Sequence, residues 1–146
     1  MARVKIKFPS HNPQFVCTIP VRITDINYGN HLGNDAVLSI IHEARMQMLI
    51  NLGFTELNAG GNSLIMGDVM IAFRGEAFYG DVLYIEIFTD EIAERSFDLL
   101  YQITTQRKEA TIEIAHAKTG MVCFDYNTRK VAMMTAHLKK AISLSH

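Results

Sequence analysis

The sequence predicts an α+β fold in which an antiparallel sheet curls around one long helix. Three observations predict it: a strand-like segment runs into a polar loop, a long apolar helix follows, and four long strand segments with turn signals between them come next. The helix is apolar on most of its circumference and needs cover, which a single twisted sheet can provide.

Strands are predicted wherever β-branched and apolar side chains dominate or alternate. The predicted segments are residues 15–23, 63–78, 82–94, 96–106 and 110–126. Turn-forming residues separate the later ones, at Gly80-Asp81, Glu94-Arg95 and Arg107-Lys108-Glu109. Successive hairpins imply an antiparallel meander, and we expect one domain over residues 1–146.

The helix is predicted over residues 35–52, with Asn34 as its N-cap and Gly53 as its stop. Its apolar residues recur at helical spacing: Val37, Ile40, Ile41, Ala44, Met48 and Leu52. Further apolar side chains leave only a thin polar stripe, so we expect the helix to be enclosed on most sides. A short closing helix, capped by Thr135, is predicted from the amphipathic pattern that starts at Ala136.

Composition excludes several classes of function. Fourteen Lys and Arg against 15 Asp and Glu leave a net charge of −1, so no overall field attracts nucleic acid. No apolar run is long enough for a membrane span or a signal peptide, and we expect a cytosolic protein without membrane association. Cys17 and Cys123 lack metal-ligand spacing and are expected to be buried free thiols, with no metal or cofactor.

Polar side chains are concentrated in the loop before the helix. Asp25, Asn27, Asn30, His31 and Asn34 fall within ten residues. A helix start offers unpaired N–H groups that polarise a carbonyl and stabilise an oxyanion, which is what acyl transfer requires. The same residue types also fill ordinary turns, so the composition alone leaves a purely structural loop as an alternative.

A base or nucleophile for that chemistry has three candidates in the sequence. Asp25, His31 and the helical Glu43 each carry a suitable group. Glu43 stands two residues from Arg45 on the polar stripe, and it also fits a paired or solvated charge.

Three motifs in fixed order carry a resemblance to a known family. They are Asp25-Ile26-Asn27-Tyr28-Gly29-Asn30-His31-Leu32-Gly33-Asn34, then Glu43-Ala44-Arg45, then Tyr79-Gly80-Asp81-Val82-Leu83. Over nearly its whole length the chain resembles the hot-dog acyl-CoA thioesterases of the 4-hydroxybenzoyl-CoA thioesterase-like family, many of which carry D-x-D-x-x-G-H-x-N-N, E-A-R and a Gly-Asp pair.

The resemblance implies a hot-dog fold, a homodimer or homotetramer whose sheets join edge to edge, and sites between subunits. It also implies an acyl-CoA or acyl-carrier thioester as substrate. Asp25, His31 and Asn34 match family positions, whereas Asn27 stands where many members carry the carboxylate taken as base or nucleophile. An amide cannot do that work, so Asn27 is expected to orient water or the carbonyl while another group supplies the base.

Two other functions stay open at this point. One is a hot-dog module that binds an acyl thioester without turnover, which the missing carboxylate at Asn27 favours. The other is an enoyl-CoA hydratase-like enzyme, whose D-x-N-P-x-H motif is matched only in part, because the proline is absent and His31 comes one residue late.

Substrate contacts are expected from one aromatic side chain and several basic ones. Tyr28 lies in the polar loop, and Arg74, Lys118, Arg129 and Lys130 lie on or beside the later strands, where they suit the phosphates of coenzyme A. The acyl pocket is expected among Met46, Ile50, Leu64, Met66 and Met70, although these side chains also suit an ordinary core.

Overall fold

The computed structural model describes residues 2–143, which form six strands, two α-helices and a three-residue 3-10 helix. In chain order the elements are β1 (Phe15–Pro20), the 3-10 helix (Ile23–Asp25), α1 (Asn34–Asn51), β2 (Ser63–Phe73), β3 (Val82–Asp90), β4 (Ser96–Arg107), β5 (Ala110–Asp125), β6 (Lys130–Val131) and α2 (Ala136–Ser143). Neither helix in this range is long and apolar enough to cross a membrane.

The strands pair antiparallel in the order β1-β3-β4-β5-β2, with the short β6 beside β5. Hairpins connect β3 to β4 and β4 to β5, which confirms the α+β class and this part of the predicted meander. The hairpin predicted at Gly80-Asp81 is wrong, because β1 and β4 occupy both edges of β3 and β2 pairs with β5 instead. β1 and β2, which flank α1 in sequence, form the two edges of the main sheet. The chain on either side of α1 therefore leads to an edge strand of the sheet.

Three strands end earlier than the residue pattern predicts, because backbone geometry ends them first. β1 stops at Pro20, and the chain turns into the 3-10 helix. β2 stops at Phe73, because the N–H groups of Arg74 and Gly75 both donate to the carbonyl of Ile114 and end the ladder. β3 stops at Asp90, and Glu91 takes a left-handed φ of 48° that no strand continues.

The ends of α1 confirm one predicted cap and correct the other. Gly33, not Asn34, is the N-cap: its backbone is extended, Asn34 is already helical, and no side chain caps this end. At the other end Gly53 has a φ of 81°, and the Phe54 N–H donates to the Leu49 carbonyl at 2.8 Å, as in a Schellman motif. The predicted stop at Gly53 is therefore confirmed.

The predicted closing helix is also confirmed, as α2. The hydroxyl of Thr135 accepts a hydrogen bond from the Leu138 N–H at 3.1 Å, which is the predicted cap.

One side of α1 packs against the inner face of the sheet. Its buried side chains include Val37, Ile40, Ile41, Ala44, Met48 and Leu49. The opposite side stays open within this chain, since Leu38 is 39% and Ile50 is 65% exposed. The chain by itself therefore covers α1 less completely than the apolar pattern predicts. Both cysteines are buried and free, as expected.

A polar network crosses the core between α1 and the sheet. The buried guanidinium of Arg45 donates to Glu56 at 3.1 Å and to the Tyr101 hydroxyl at 3.2 Å, and that hydroxyl shares a 2.8 Å bond with Thr119. His42 lies 2.8 Å from the other carboxylate oxygen of Glu56. Burial would raise the pKa of Glu56, but the hydrogen bond from His42 and the charge of Arg45 outweigh it and lower that pKa.

We predict that Tyr101→Phe lowers the free energy of unfolding by about 1–3 kcal/mol, because it leaves the buried donors of Arg45 and Thr119 short of a partner. Urea unfolding followed by circular dichroism measures the change. Tyr84→Phe is the matched control, since Tyr84 is exposed on the outer face. Equal stability of the two variants would contradict a structural role for the network.

Candidate active site

Asp25 shapes the loop that leads into α1. It is buried, and one carboxylate oxygen accepts the Arg22 N–H at 2.8 Å while the Arg22 side chain lies 3.4 Å away. Its own carbonyl accepts the Gly33 N–H at 3.0 Å, which closes the loop from residue 25 to residue 33. The carboxylate of Asp25 is thus already engaged by Arg22.

Asn27 forms a turn inside the same loop. Its side-chain oxygen accepts the Gly29 N–H at 2.9 Å, and its own N–H donates to the His31 carbonyl at 2.9 Å. This is the local bonding by which asparagine stabilises turns. Tyr28, at the tip of the turn, has a fully exposed side chain.

The start of α1 presents two unpaired donors. The N–H groups of Ala36 and Val37 donate to the Gly33 carbonyl at 3.1 and 3.3 Å. Across residues 2–143, those of Asn34 and Asp35 have no hydrogen-bond partner. An uncapped helix start carries a partial positive charge, so this end of α1 favours an anionic or polarised oxygen.

A cavity of about 250 Å³ opens at this helix start. Its walls come from the loop, from the first turn of α1, from the end of β2 and from β5: His31, Leu32, Asn34, Val37, Phe73, Gly75, Glu76 and Ile114. The residues that border the cavity thus include a histidine, an asparagine, a glutamate and several apolar residues. Of the five predicted catalytic residues, His31 and Asn34 border it.

The imidazole of His31 is oriented by the backbone. Its Nδ1 lies 3.1 Å from the Leu32 carbonyl oxygen, and because a carbonyl only accepts, Nδ1 must carry the proton. Nε2 is therefore left for a ligand. It lies over Gly29, where a Cβ would come within 3.1 Å of it, so the glycine leaves room for the ring.

Glu76 reaches the helix start because two loops are joined. The Leu32 N–H donates to the Ala77 carbonyl at 2.7 Å, which ties the loop before α1 to the loop between β2 and β3. Both Leu32 and Ala77 are buried. At Gly75 a Cβ would lie only 2.5 Å from the Glu113 carbonyl, so only glycine permits this close approach to β5.

Arg107, at the end of β4, clamps the loop that carries Glu76. Its guanidinium donates to the Glu76 carbonyl at 3.0 Å and to the Asp81 carboxylate at 2.6 Å. It also lies 5.0 Å from the ring centre of Phe78, whose N–H donates to Asp81 at 2.9 Å. The carboxylate of Asp81, in the predicted Gly80-Asp81 turn, therefore also holds the guanidinium of Arg107 in place.

The other predicted site residues are not among those that line this cavity. Glu43 is exposed on α1, where it accepts a hydrogen bond from Gln47 at 2.7 Å; nine residues separate it from Asn34, about 13.5 Å along a helix. Arg74 lies 3.4 Å from Glu113, and Lys118 donates to Asp68 at 2.8 Å on the outer face of the sheet. Within residues 2–143 no cluster of three metal-ligating side chains occurs.

Glu76 was not predicted as a site residue. The residue pattern extended β2 through residue 78, so that Glu76 was one of many predicted strand residues. The local signal was present in Gly75, since a glycine inside a strand pattern indicates a bulge or a close backbone approach. The bond between Leu32 and Ala77 holds residue 76 beside a helix start that lies more than 40 residues earlier in the chain.

An antiparallel sheet packed on one face by a long helix is the architecture of the hot-dog fold. The chain belongs to the thioesterase-like superfamily, whose family model matches residues 21–142. No match was found among curated proteins.

Solved structures share the fold at low sequence identity. A 1,4-dihydroxy-2-naphthoyl-CoA thioesterase from Synechocystis is 22% identical, with 88% of this chain and 94% of that one covered at a TM-score of 0.77. A gentisyl-coenzyme A thioesterase is 16% identical, with 88% and 100% covered at 0.74. An Asp-to-Asn mutant of 4-hydroxybenzoyl-CoA thioesterase, complexed with 4-hydroxybenzoyl-CoA, is 15% identical, with 88% and 98% covered at 0.78.

We predict that Arg107→Gln loosens the loop of residues 76–81, because hydrogen bonds to a charged group contribute about 1.5–3 kcal/mol each. Hydrogen exchange read by mass spectrometry should show amides of this loop exchanging ~10-fold faster or more, since about 1.4 kcal/mol corresponds to a factor of ten. Arg95→Gln, at an exposed arginine in the turn between β3 and β4, is the control. Unchanged exchange in Arg107→Gln would mean that the clamp does not hold the loop.

Proposed function

We propose that this protein hydrolyses an acyl thioester of coenzyme A at the cavity beside the start of α1. The observation that carries the proposal is the pair of unpaired N–H groups at Asn34 and Asp35, beside a cavity that also borders His31 and Glu76. Donors fixed in this way stabilise the oxyanion of a tetrahedral intermediate. We propose that residues 1–146 form a single domain, as the sequence predicts.

In the proposed step, the thioester carbonyl oxygen accepts hydrogen bonds from the helix-start N–H groups. Glu76 removes a proton from a water molecule, and the water oxygen attacks the carbonyl carbon. The intermediate then collapses, the carbon–sulfur bond breaks, and the thiolate leaves with the bonding pair. The proton held by Glu76 passes to the thiolate or to solvent, which leaves a carboxylic acid and free coenzyme A.

Glu76 supplies the carboxylate that Asn27 lacks. The amide of Asn27 is engaged in the turn with Gly29, so we assign it the task of shaping the loop. His31 offers Nε2 to the attacking water or, when protonated, to the carbonyl. Asp25 acts through the loop it closes, and a role for Glu43, Tyr28 or Lys118 stays a prediction.

The substrate class follows from the names of the structural neighbours, three of which act on or bind aromatic acyl-CoA thioesters. The apolar wall of the cavity, formed by Val37, Phe73 and Ile114, suits the acyl group. We therefore place an aromatic acyl-CoA such as 4-hydroxybenzoyl-CoA first in a panel that also includes straight-chain acyl-CoAs.

We predict that Glu76→Gln lowers kcat for the best substrate by ~10²–10⁴-fold, the usual contribution of a general base. Release of free thiol, followed with a chromogenic disulfide, measures it. Glu94→Gln is the matched control, because Glu94 is exposed in the turn between β3 and β4 at the opposite end of the sheet. Glu43→Gln tests the competing carboxylate, and a large loss there with full turnover in Glu76→Gln would overturn the assignment.

The same panel separates the alternatives. Tight binding of acyl-CoA without thiol release from any member would favour the non-catalytic module. Loss of the enoyl absorbance of an enoyl-CoA, again without thiol release, would favour hydration.

We further propose a dimer formed through the free edge of β2. An edge strand exposes unpaired N–H and C=O groups, and β2 also exposes the apolar side chains of Met66, Val69, Met70 and Phe73. Pairing two β2 edges would extend the sheet, bring the partner close to the cavity at Phe73 and cover the open side of α1. The helix would then be enclosed as the sequence predicts.

We predict that Val69→Lys shifts the protein from dimer to monomer at micromolar concentration, because it places a charge in the proposed interface. Light scattering coupled to size exclusion measures the mass. Val131→Lys on β6 is the control, since Val131 is 46% exposed against 37% for Val69. A dimer that persists in Val69→Lys, or a monomeric parent protein, would exclude this interface.

A further inference from the structure

A basic segment near the start of the described chain crosses the outer face of the sheet. Its first residues lie near the cavity. Residues 3–8 alternate between exposed cations, which are Arg3, Lys5 and Lys7, and apolar side chains, of which Ile6 and Phe8 are half-buried. We call Arg3–Phe8 the basic strap. The three cations are therefore exposed to solvent, whereas Ile6 and Phe8 between and after them turn toward the protein.

Phe8 anchors the strap to the sheet. Its ring lies 5.4 Å from that of Phe88 on β3 and packs edge-on, at 5.0 Å, against His116 on β5. β4 runs between these two strands, so the strap crosses the strands instead of pairing with them. This contact fixes the direction of the basic strap.

The start of the strap reaches the end of β2. Arg3 and Val4 line a depression of about 440 Å³ together with residues 71–74. Phe73 belongs to this depression and also to the wall of the cavity beside α1. The depression beside the basic strap and the candidate active site therefore share Phe73 in their linings.

Within the described part of the chain, the charged groups of the strap have no ion-pair partner. Among residues 2–143, no ion pair engages Arg3, Lys5 or Lys7, whereas Arg74 beside them lies 3.4 Å from Glu113. The chain as a whole has a net charge of −1, so this concentration of positive charge is local. Unpaired guanidinium and ammonium groups bind phosphate well.

We propose that Arg3 and Lys5 bind the phosphates of coenzyme A while its thioester occupies the cavity beside α1. This assignment rests on the proposed thioesterase function. Coenzyme A carries a diphosphate and a ribose phosphate at the end of its arm remote from the thioester. The basic strap supplies cations outside the mouth of the cavity. The arm of coenzyme A would pass Phe73 between these cations and the thioester site.

The test uses two substrates with one acyl group, the coenzyme A thioester and the pantetheine thioester, which lacks phosphate. In the double variant Arg3→Gln/Lys5→Gln, kcat/KM for the coenzyme A thioester should fall ~10-fold or more through KM, the effect of about 1.4 kcal/mol. The pantetheine thioester should be hydrolysed as by the parent protein. Lys139→Gln/Lys140→Gln, which removes two exposed lysines from α2, should leave both substrates unaffected.

Two outcomes would overturn the assignment: an unchanged KM for the coenzyme A thioester, or an equal loss on both substrates. If the parent protein hydrolyses neither thioester, the proposed function fails. The strap is then judged by calorimetry with free coenzyme A. Binding weakened ~10-fold in the double variant and not in the lysine control would support it, and equal binding would refute it.

Discussion

The candidate site depends on one backbone hydrogen bond, from the Leu32 N–H to the Ala77 carbonyl. It joins a loop that precedes α1 to a loop that follows β2. Because both residues are buried, the bond is shielded from competition with water. Without it, the unpaired donors of α1 and the carboxylate of Glu76 would belong to two independent loops. Arg107 adds a second restraint on the Glu76 side, at the junction with β4.

The core network of Arg45, Glu56 and Tyr101 serves a different purpose. It fixes the rotation of α1 against β4 and β5, since a buried guanidinium with two specific partners tolerates little displacement. The rotation of the helix decides which of its first N–H groups face the cavity. The Glu-Ala-Arg motif noted in the sequence thus bears on the site through Arg45, whereas Glu43 points away from the core.

Local patterns were sufficient for the elements and insufficient for the site. Alternation along β3 to β5, the glycine after α1 and the Thr135 cap depend on neighbouring residues, and the structure agrees with each of them. The N-cap at Asn34 failed because Gly33 already has the extended backbone that a cap requires. The placement of Glu76 depends on contacts between distant residues, and so does the loop-closing role of Asp25. Periodicity carries no information on such contacts.

The two donors at the start of α1 belong to the main chain, and this limits what mutation can change. No substitution at Asn34 or Asp35 other than proline removes an N–H, so the electrostatic part of the cavity persists while the helix start keeps its conformation. Side chains such as Val37, Phe73 and Ile114 are free of that constraint. Substitution of these side chains during evolution can therefore change the preference for one acyl group over another, while the N–H groups that bind the carbonyl oxygen are retained.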